Sequence, residues 1–432
     1  MKVKTIKILS GMLAVLAFTA CSSNIDESAD APRFYNVTLT ASMGDAETRA
    51  LSVDGNVITA TFAKNDEVVV VKANGTSVGT LRAESGGTST TTLSGTILGT
   101  FTENEVLTLR YRSATANYDG QVGTLAGIAA GQDYAEGTLT VKTTEPLAFT
   151  SNSVTLDAKQ SITKFSFTDG TNPVTVKTFG IAAVGLVQSI ATDGTPTMGA
   201  VTGTLGTANS DVYVALSNTS GKQAYSFTIQ DNAGNWYTAT KNAKLTNAKN
   251  YTATVKLNKL PALTSGSAVG TIGVMGGLPA IVVEINSTKK AVALMNVGAL
   301  CPEAYGTYYA FGNLPSGDWR VPTQAELTSL KNTYSNEWTT QNGVNGRLFT
   351  ISEGKTFFLP AAGFIDNDND EGQETAYTGK VLVSTFGYYW SQTEVTPSGS
   401  MAYSYQFSAS INDTYSEYKV NALPVRPFHA LN

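Results

Sequence analysis

From Arg33 to about Asn258, apolar and polar residues alternate in short runs between turn signals, the period of strands with one face buried. In Val37-Thr-Leu-Thr-Ala-Ser-Met43 the residues Val37, Leu39, Ala41 and Met43 fall on one face. Val68 to Val71 is a continuous apolar run ending at Ala73-Asn74-Gly75. Leu107, Leu109 and Tyr111 alternate with Thr108 and Arg110, and Phe165 alternates with Phe167 ahead of Asp169-Gly170. The clearest hairpin joins Ala224-Tyr-Ser-Phe-Thr-Ile-Gln230 to Trp236-Tyr-Thr-Ala-Thr240 through Asp231-Asn-Ala-Gly-Asn235, with Tyr225, Phe227 and Ile229 on the inner face. Helical stripes are absent from this region.

Short antiparallel strands over this length pack most economically as two tandem β-sandwiches, expected at residues 33–145 and 146–260 with a split near Glu145-Pro146. Leu260-Pro-Ala-Leu-Thr-Ser-Gly-Ser-Ala268 breaks the alternation, so residues 261–270 read as a linker. From 271 to 432 the texture changes: aromatics crowd together and a helix signal stands out at Val321-Pro-Thr-Gln-Ala-Glu-Leu-Thr-Ser-Leu330. Thr323 and Glu326 make a capping box, and Leu327, Leu330 and Tyr334 lie on one face of the helix that follows. The expected fold is mainly β, with an α+β domain at the C-terminal end.

The first residues carry a different signal. Lys2, Lys4 and Lys7 precede the apolar run from Leu9 to Ala20, and Cys21 follows at once. That run is shorter than the roughly 20 apolar residues a bilayer span takes, which makes residues 1–20 a secretory signal. Phe18-Thr19-Ala20-Cys21 is similar to the bacterial lipobox, which implies lipidation of Cys21; the alternative is an ordinary signal cut near Ala20. Residues 21–32 then read as a polar tether, and the expected location is the outer membrane, lipid-anchored, at the surface of a Gram-negative cell.

Loss of the three signal lysines takes the formal net charge from −5 to −8, which argues against nucleic acid as a partner. With two cysteines, of which Cys21 is the lipidation candidate, Cys301 has no partner in the chain, and the fold has to be held by core area. The one histidine, His429, leaves no His-based triad and no His-ligated zinc site, so no catalytic residue and no cofactor are expected.

Val37-Thr-Leu-Thr-Ala41, followed by Glu47-Thr-Arg-Ala50 and a Thr- and Gly-rich run of strands, resembles the fimbrillin family of type V pili and its Mfa-like relatives. The resemblance covers about residues 21–258 and implies a lipoprotein with two β-sandwiches, cut after an arginine that maps onto Arg49, ahead of Ala50. Such a cut would free Val37 to Met43 and let a strand of another pilin subunit take its place. The alternative is that Arg49 is a solvated residue between two strands. Gly317-Asp-Trp-Arg-Val-Pro-Thr-Gln-Ala-Glu-Leu327, Phe358-Leu-Pro-Ala-Ala-Gly363, Gly387-Tyr-Tyr-Trp-Ser391 and Val425-Arg-Pro-Phe428 together resemble the FISUMP-type domain, related to C-type lectins. That implies structural roles for Trp319, Trp390, Arg320 and Arg426.

Two further clusters are candidate binding sites. Asp366, Asp368, Asp370 and Glu371 offer oxygen at closely spaced positions, as Ca²⁺ requires. Against an EF-hand loop, Glu371 stands where the turn glycine belongs and Tyr377 where the bidentate glutamate belongs, so a solvated acidic loop is the alternative. Tyr308, Tyr309 and Tyr388 offer rings for stacking on a sugar, or pack as core and edge. Two functional classes result: a pilus-type subunit or adhesin with the C-terminal domain as tip or ligand-binding module, and a free-standing surface lipoprotein that binds a host or dietary glycan.

Overall fold

The computed structural model describes residues 31–44, 61–367 and 380–431, and the backbone of 52–54 and 57–59. It is mainly β, with short helices at Leu125–Gly131 and Gln324–Thr333 and a 3-10 turn at Phe311–Asn313. Two tandem β domains precede a third in which small sheets surround the second helix.

In the first domain Val37, Leu39 and Ala41 turn inward, as their alternation requires, and pack with Leu93, Leu107 and Leu139 in one core. Seven strands pair in a ring: Arg33–Met43, Thr90–Gly99, Ser77–Ala83, Glu67–Val71, Val106–Tyr111, Ala135–Thr144 and Ser153–Ala158, which returns to the first. The two layers of the sandwich are thereby joined on both sides, and the ladder has no free edge along this path. Leu147–Phe149 folds back on Ala135–Thr144 as a hairpin. The domain split expected at residues 145 and 146 falls in that hairpin turn, and the sheet runs on to Ala158. A proline at a hairpin tip and a proline between domains leave the same mark in a sequence.

The second domain is an open sandwich. One layer runs Pro196–Met198, Leu186–Ile190, Asp211–Asn218, Ser161–Thr168, Asn250–Lys256; the other runs Val201–Asn209, Val176–Ala182, Gln223–Asp231, Trp236–Ala243, Asn258–Lys259. Tyr225, Phe227 and Ile229 are buried between the layers, on the hairpin that the alternation predicts. Its core also takes in Tyr118, Ile128 and Tyr134, which lie between two strands of the first ring. The chain thus leaves the first domain, contributes to the second core and returns.

Residues 261–270 do more than link. Pro261 accepts from Val274 N–H at 2.7 Å, Leu263 N–H donates to the Val274 carbonyl at 2.8 Å, and the Leu263 side chain is buried in the third domain. The capping box is present at Thr323 and Glu326, starting helix Gln324–Thr333, which buries Leu327 and Leu330. Strand Phe428–Ala430 pairs with Thr288–Ala293, so the end of the chain closes the sheet that opens this domain. At the junction of the second and third domains, Trp236 packs with Met295 and Ala299 and donates its Nε1–H to the Gly277 carbonyl at 2.8 Å. A methyl group on Gly180 would come within 2.5 Å of the Cys301 Cβ, so glycine there permits the close approach of these two domains.

Candidate functional site

Strand Arg33–Met43 is positioned by neighbours on both sides. It runs antiparallel to Thr90–Gly99 over the register Arg33↔Gly99 to Ser42↔Thr90, and parallel to Ser153–Ala158 from Thr40↔Ser153 to Met43↔Leu156. Thr40 N–H donates to the Asn152 carbonyl and Gly44 N–H to the Leu156 carbonyl, both at 2.9 Å. Inward-facing Val37, Leu39 and Ala41 cover a groove whose walls include Leu93, Ile97, Val154 and Leu156. Tyr35 meets Phe101 edge-on at 5.6 Å. Outward, Thr38 and Thr40 are exposed, and the Ser42 and Thr155 hydroxyls lie 3.3 Å apart. The strand's side chains supply one wall of the core while its backbone pairs with a neighbour on each side.

The ring has its shortest ladder next to this strand. Ser153–Ala158 registers with Ala135–Thr144 at only two positions, Asp157↔Glu136 and Ala158↔Ala135. A polar cavity of about 390 Å³, bordered by Thr138, Ser153, Thr155 and Lys159, opens along the same seam. Glu136 holds the closed end, accepting from Arg110 Nε at 3.0 Å and from the Tyr134 hydroxyl at 2.6 Å, and pairing with Lys159 at 3.1 Å. Burial alone would raise the Glu136 pKa, but Tyr134, Lys159 and Arg110 outweigh it and hold the carboxyl below the usual range. Arg110 also donates to the carbonyls of Ala114 at 2.8 Å and of Thr192 in the second domain, clamping the two domains at the seam. Sequence reasoning missed Arg110 and Glu136, because alternation puts Arg110 on the polar face of its strand and gives no sign that the second domain covers that face.

Cys21, Arg49 and Ala50 lie outside the described residues, as do Asp368, Asp370 and Glu371. Asp366 is described, and its neighbour Asn367 is tied down by Asn421 Oδ1 and the Val420 carbonyl. The three tyrosines are all half-buried. Tyr308 donates its hydroxyl to the Ala362 carbonyl at 2.5 Å and carries Lys380 Nζ over its ring at 4.8 Å; burial pushes its phenol well up. Tyr309 and Tyr388 meet in the small core around Trp390, where Tyr388 packs on Phe364 at 4.8 Å. Their rings are largely committed to packing. More exposed aromatic surface on this domain comes from Tyr415 and Tyr418, each 46% exposed on the strand Asn412–Tyr418.

Comparison with known proteins places a family match in this C-terminal domain. Residues 336–428 match a domain of unknown function (DUF8237). No curated protein matches the chain. Among solved structures, the chain is similar to a protein of Bacteroides uniformis provisionally assigned to cell adhesion, at 14% identity and a TM-score of 0.30, over 52% of this chain and 96% of that one. It is also similar to a fimbrial assembly protein of Parabacteroides distasonis, at 9% identity and 0.26, over 59% and 96%. A third is the tip fimbrial protein Mfa3 of Porphyromonas gingivalis, at 11% identity and 0.26, over 48% and 81%.

Proposed function

We propose that the chain is a surface-exposed subunit of a pilus-type fibre or adhesin, anchored in the outer membrane through Cys21. Its first strand gives way to a strand of another subunit after cleavage at Arg49, and the third domain serves as a tip or ligand-binding module. The observation that carries this reading is the seating of Arg33–Met43 as an insertable strand over an apolar groove, between two strands that would become unpaired edges once it left. An open groove of that kind pairs avidly with an incoming strand, because backbone hydrogen bonds and alternating pockets are both on offer. Arg49 lies six residues beyond Met43, the last residue of the strand.

The folded, lipid-free chain treated with an arginine-specific protease should yield a new N-terminus reading Ala50-Leu51-Ser52 and then form ladders that survive mild denaturant. Resistance of the Arg49–Ala50 bond, with the chain staying monomeric, would oppose it. A free-standing glycan-binding lipoprotein is the second reading, favoured by the exposed rings of Tyr415 and Tyr418; it would show itself by a glycan-array response without assembly.

A further inference from the structure

In the third domain, the sheet of Gly387–Glu394, Met401–Phe407 and Asn412–Tyr418 has two unlike faces. One carries Tyr389, Tyr405 and Phe407 into the main core of the domain. On the other, the register sets Tyr388, Gln406 and Asp413 in one row and Trp390, Ser404 and Tyr415 in the next. Tyr388 and Trp390 belong to the smaller core, but both rows end on Asn412–Tyr418, the edge strand, where Tyr415 is 46% exposed. Glu417, two residues on, shares the face of Tyr415, whereas Tyr418, exposed to the same extent, alternates to the opposite one.

The polar side chains beside Tyr415 are held in place from below. Gln406 Nε2 donates to Ser404 Oγ at 3.0 Å, on a serine with no exposed surface, and reaches Glu417 Oε2 at 3.5 Å. Glu417 Oε1 accepts from Asn421 Nδ2 at 3.0 Å and from the Tyr418 N–H at 2.9 Å. Asn421 is 3% exposed and in turn accepts from the Asn367 N–H at 2.9 Å. The amide donors are thus spent within the chain of contacts, while Gln406 Oε1 has no partner among the described residues and is not sealed from solvent. Two lysines of this region are committed, Lys331 to Asp413 at 2.8 Å and Lys419 to Glu394 at 3.1 Å.

An exposed ring beside positioned acceptors, one of them a carboxylate, suits a ligand with an apolar face and a rim of neutral hydroxyl donors. A pyranose has both. We infer that Tyr415, Gln406 and Glu417 form a binding site for a neutral sugar, whose C–H face stacks on the Tyr415 ring while its hydroxyls donate to Gln406 Oε1 and Glu417 Oε2. The Glu417 carboxylate disfavours sialylated and sulfated sugars at the same place. This site rests on the reading of the third domain as a ligand-binding module, and gives that module a ligand class and a face.

The test applies the intact lipid-free chain to an array of neutral oligosaccharides ending in galactose, glucose, mannose or N-acetylglucosamine, with sialylated and sulfated forms of the galactose set alongside. Wild type should bind neutral members and bind the acidic forms several-fold more weakly. Tyr415→Ala should lower the signal about ten-fold with the melting temperature kept, and Gln406→Ala several-fold. Tyr418→Ala, on the other face, should leave it unchanged. Should the Tyr415→Ala variant fail to fold, Tyr415→Leu removes the ring while keeping an apolar side chain on the strand, and should lower the signal in the same way. Binding that survives loss of the Tyr415 ring, that Tyr418→Ala removes, or that prefers the acidic forms overturns this site and leaves the third domain a sugar-binding module. No binding of any array member by wild type overturns both.

Discussion

Trp390 is fully buried, with Phe311 edge-on to its ring at 5.4 Å and its Nε1–H donated to the Tyr309 carbonyl at 2.7 Å. Truncation of such a residue costs about 3 to 5 kcal/mol, so Trp390→Ala should bring a separate low-temperature melting transition for the third domain in calorimetry of the intact chain. A variant that melts like wild type would remove Trp390 from the centre of that core. Arg426 is buried nearby and uses each of its three nitrogens, donating to Asn296 Oδ1 and to the Ala293 and Phe358 carbonyls, each at 3.0 Å; burial brings its pKa down to about 10. Glu326 shows the opposite balance. Burial would raise its pKa, but Arg320, the Thr323 N–H and Lys290 outweigh that and hold it at about 2, below the 4.5 of a free glutamate. A depressed carboxylate stabilises the fold above its unfolded value and loses that contribution as pH falls through the folded one. The third domain should therefore lose on the order of 2 kcal/mol, after allowance for solvent screening, between about pH 4.5 and 2. That step should be missing in Glu326→Gln, as followed by melting temperature against pH. Trp390 and Arg426 were legible because they sit in spaced motifs. Trp319, expected in the core on the same ground, is partly buried at its edge: it packs against the cluster of Leu263, Ala280 and Val282, its indole N–H serves the Met275 and Gly276 carbonyls, and its ring lies against His429.

At the scale of elements, the inward faces of the first strand and of the hairpin Gln223–Ala243 could be read directly, because a period of two assigns every residue to a face. The helix start at Thr323 was equally legible, since the capping box is a local chemical arrangement. Partners were not. Alternation says which face is buried and is silent on which strand lies alongside, so the closure of the first ring, the parallel pairing with Ser153–Ala158 and the crossing of residues 116–134 into the second core all escaped it. The candidate site was accordingly half-read: the strand was visible, whereas the short ladder and polar cavity beside it depend on long-range contacts. Within the strand, Leu39 is 3% exposed and Thr40 faces solvent. Leu39→Ala should lower stability of the first domain by about 2 to 3 kcal/mol and speed hydrogen exchange across Arg33–Met43, whereas Thr40→Ala should change either by little. Equal effects from the two would mean that the strand rests on the ring without being seated in it.

On the scale of the whole molecule, the three domains are coupled by contacts that leave the first strand alone. Arg110 ties the first domain to Thr192, and Trp236 with Gly180 ties the second to the third through Gly277 and Cys301. Removal of the first strand would therefore open one groove while the remaining body keeps its junctions, which is what a subunit that exchanges strands requires. The direct test is to lock that strand. Ser42 and Thr155 are register partners with hydroxyls 3.3 Å apart, so Ser42→Cys with Thr155→Cys places two sulfurs within bonding reach. After arginine-specific cleavage, the oxidised double variant should remain monomeric and retain its N-terminal fragment, and addition of reductant should release the fragment and start denaturant-resistant ladders. Ladders that form equally with the disulfide closed, or that fail to form once it is reduced, would contradict the account.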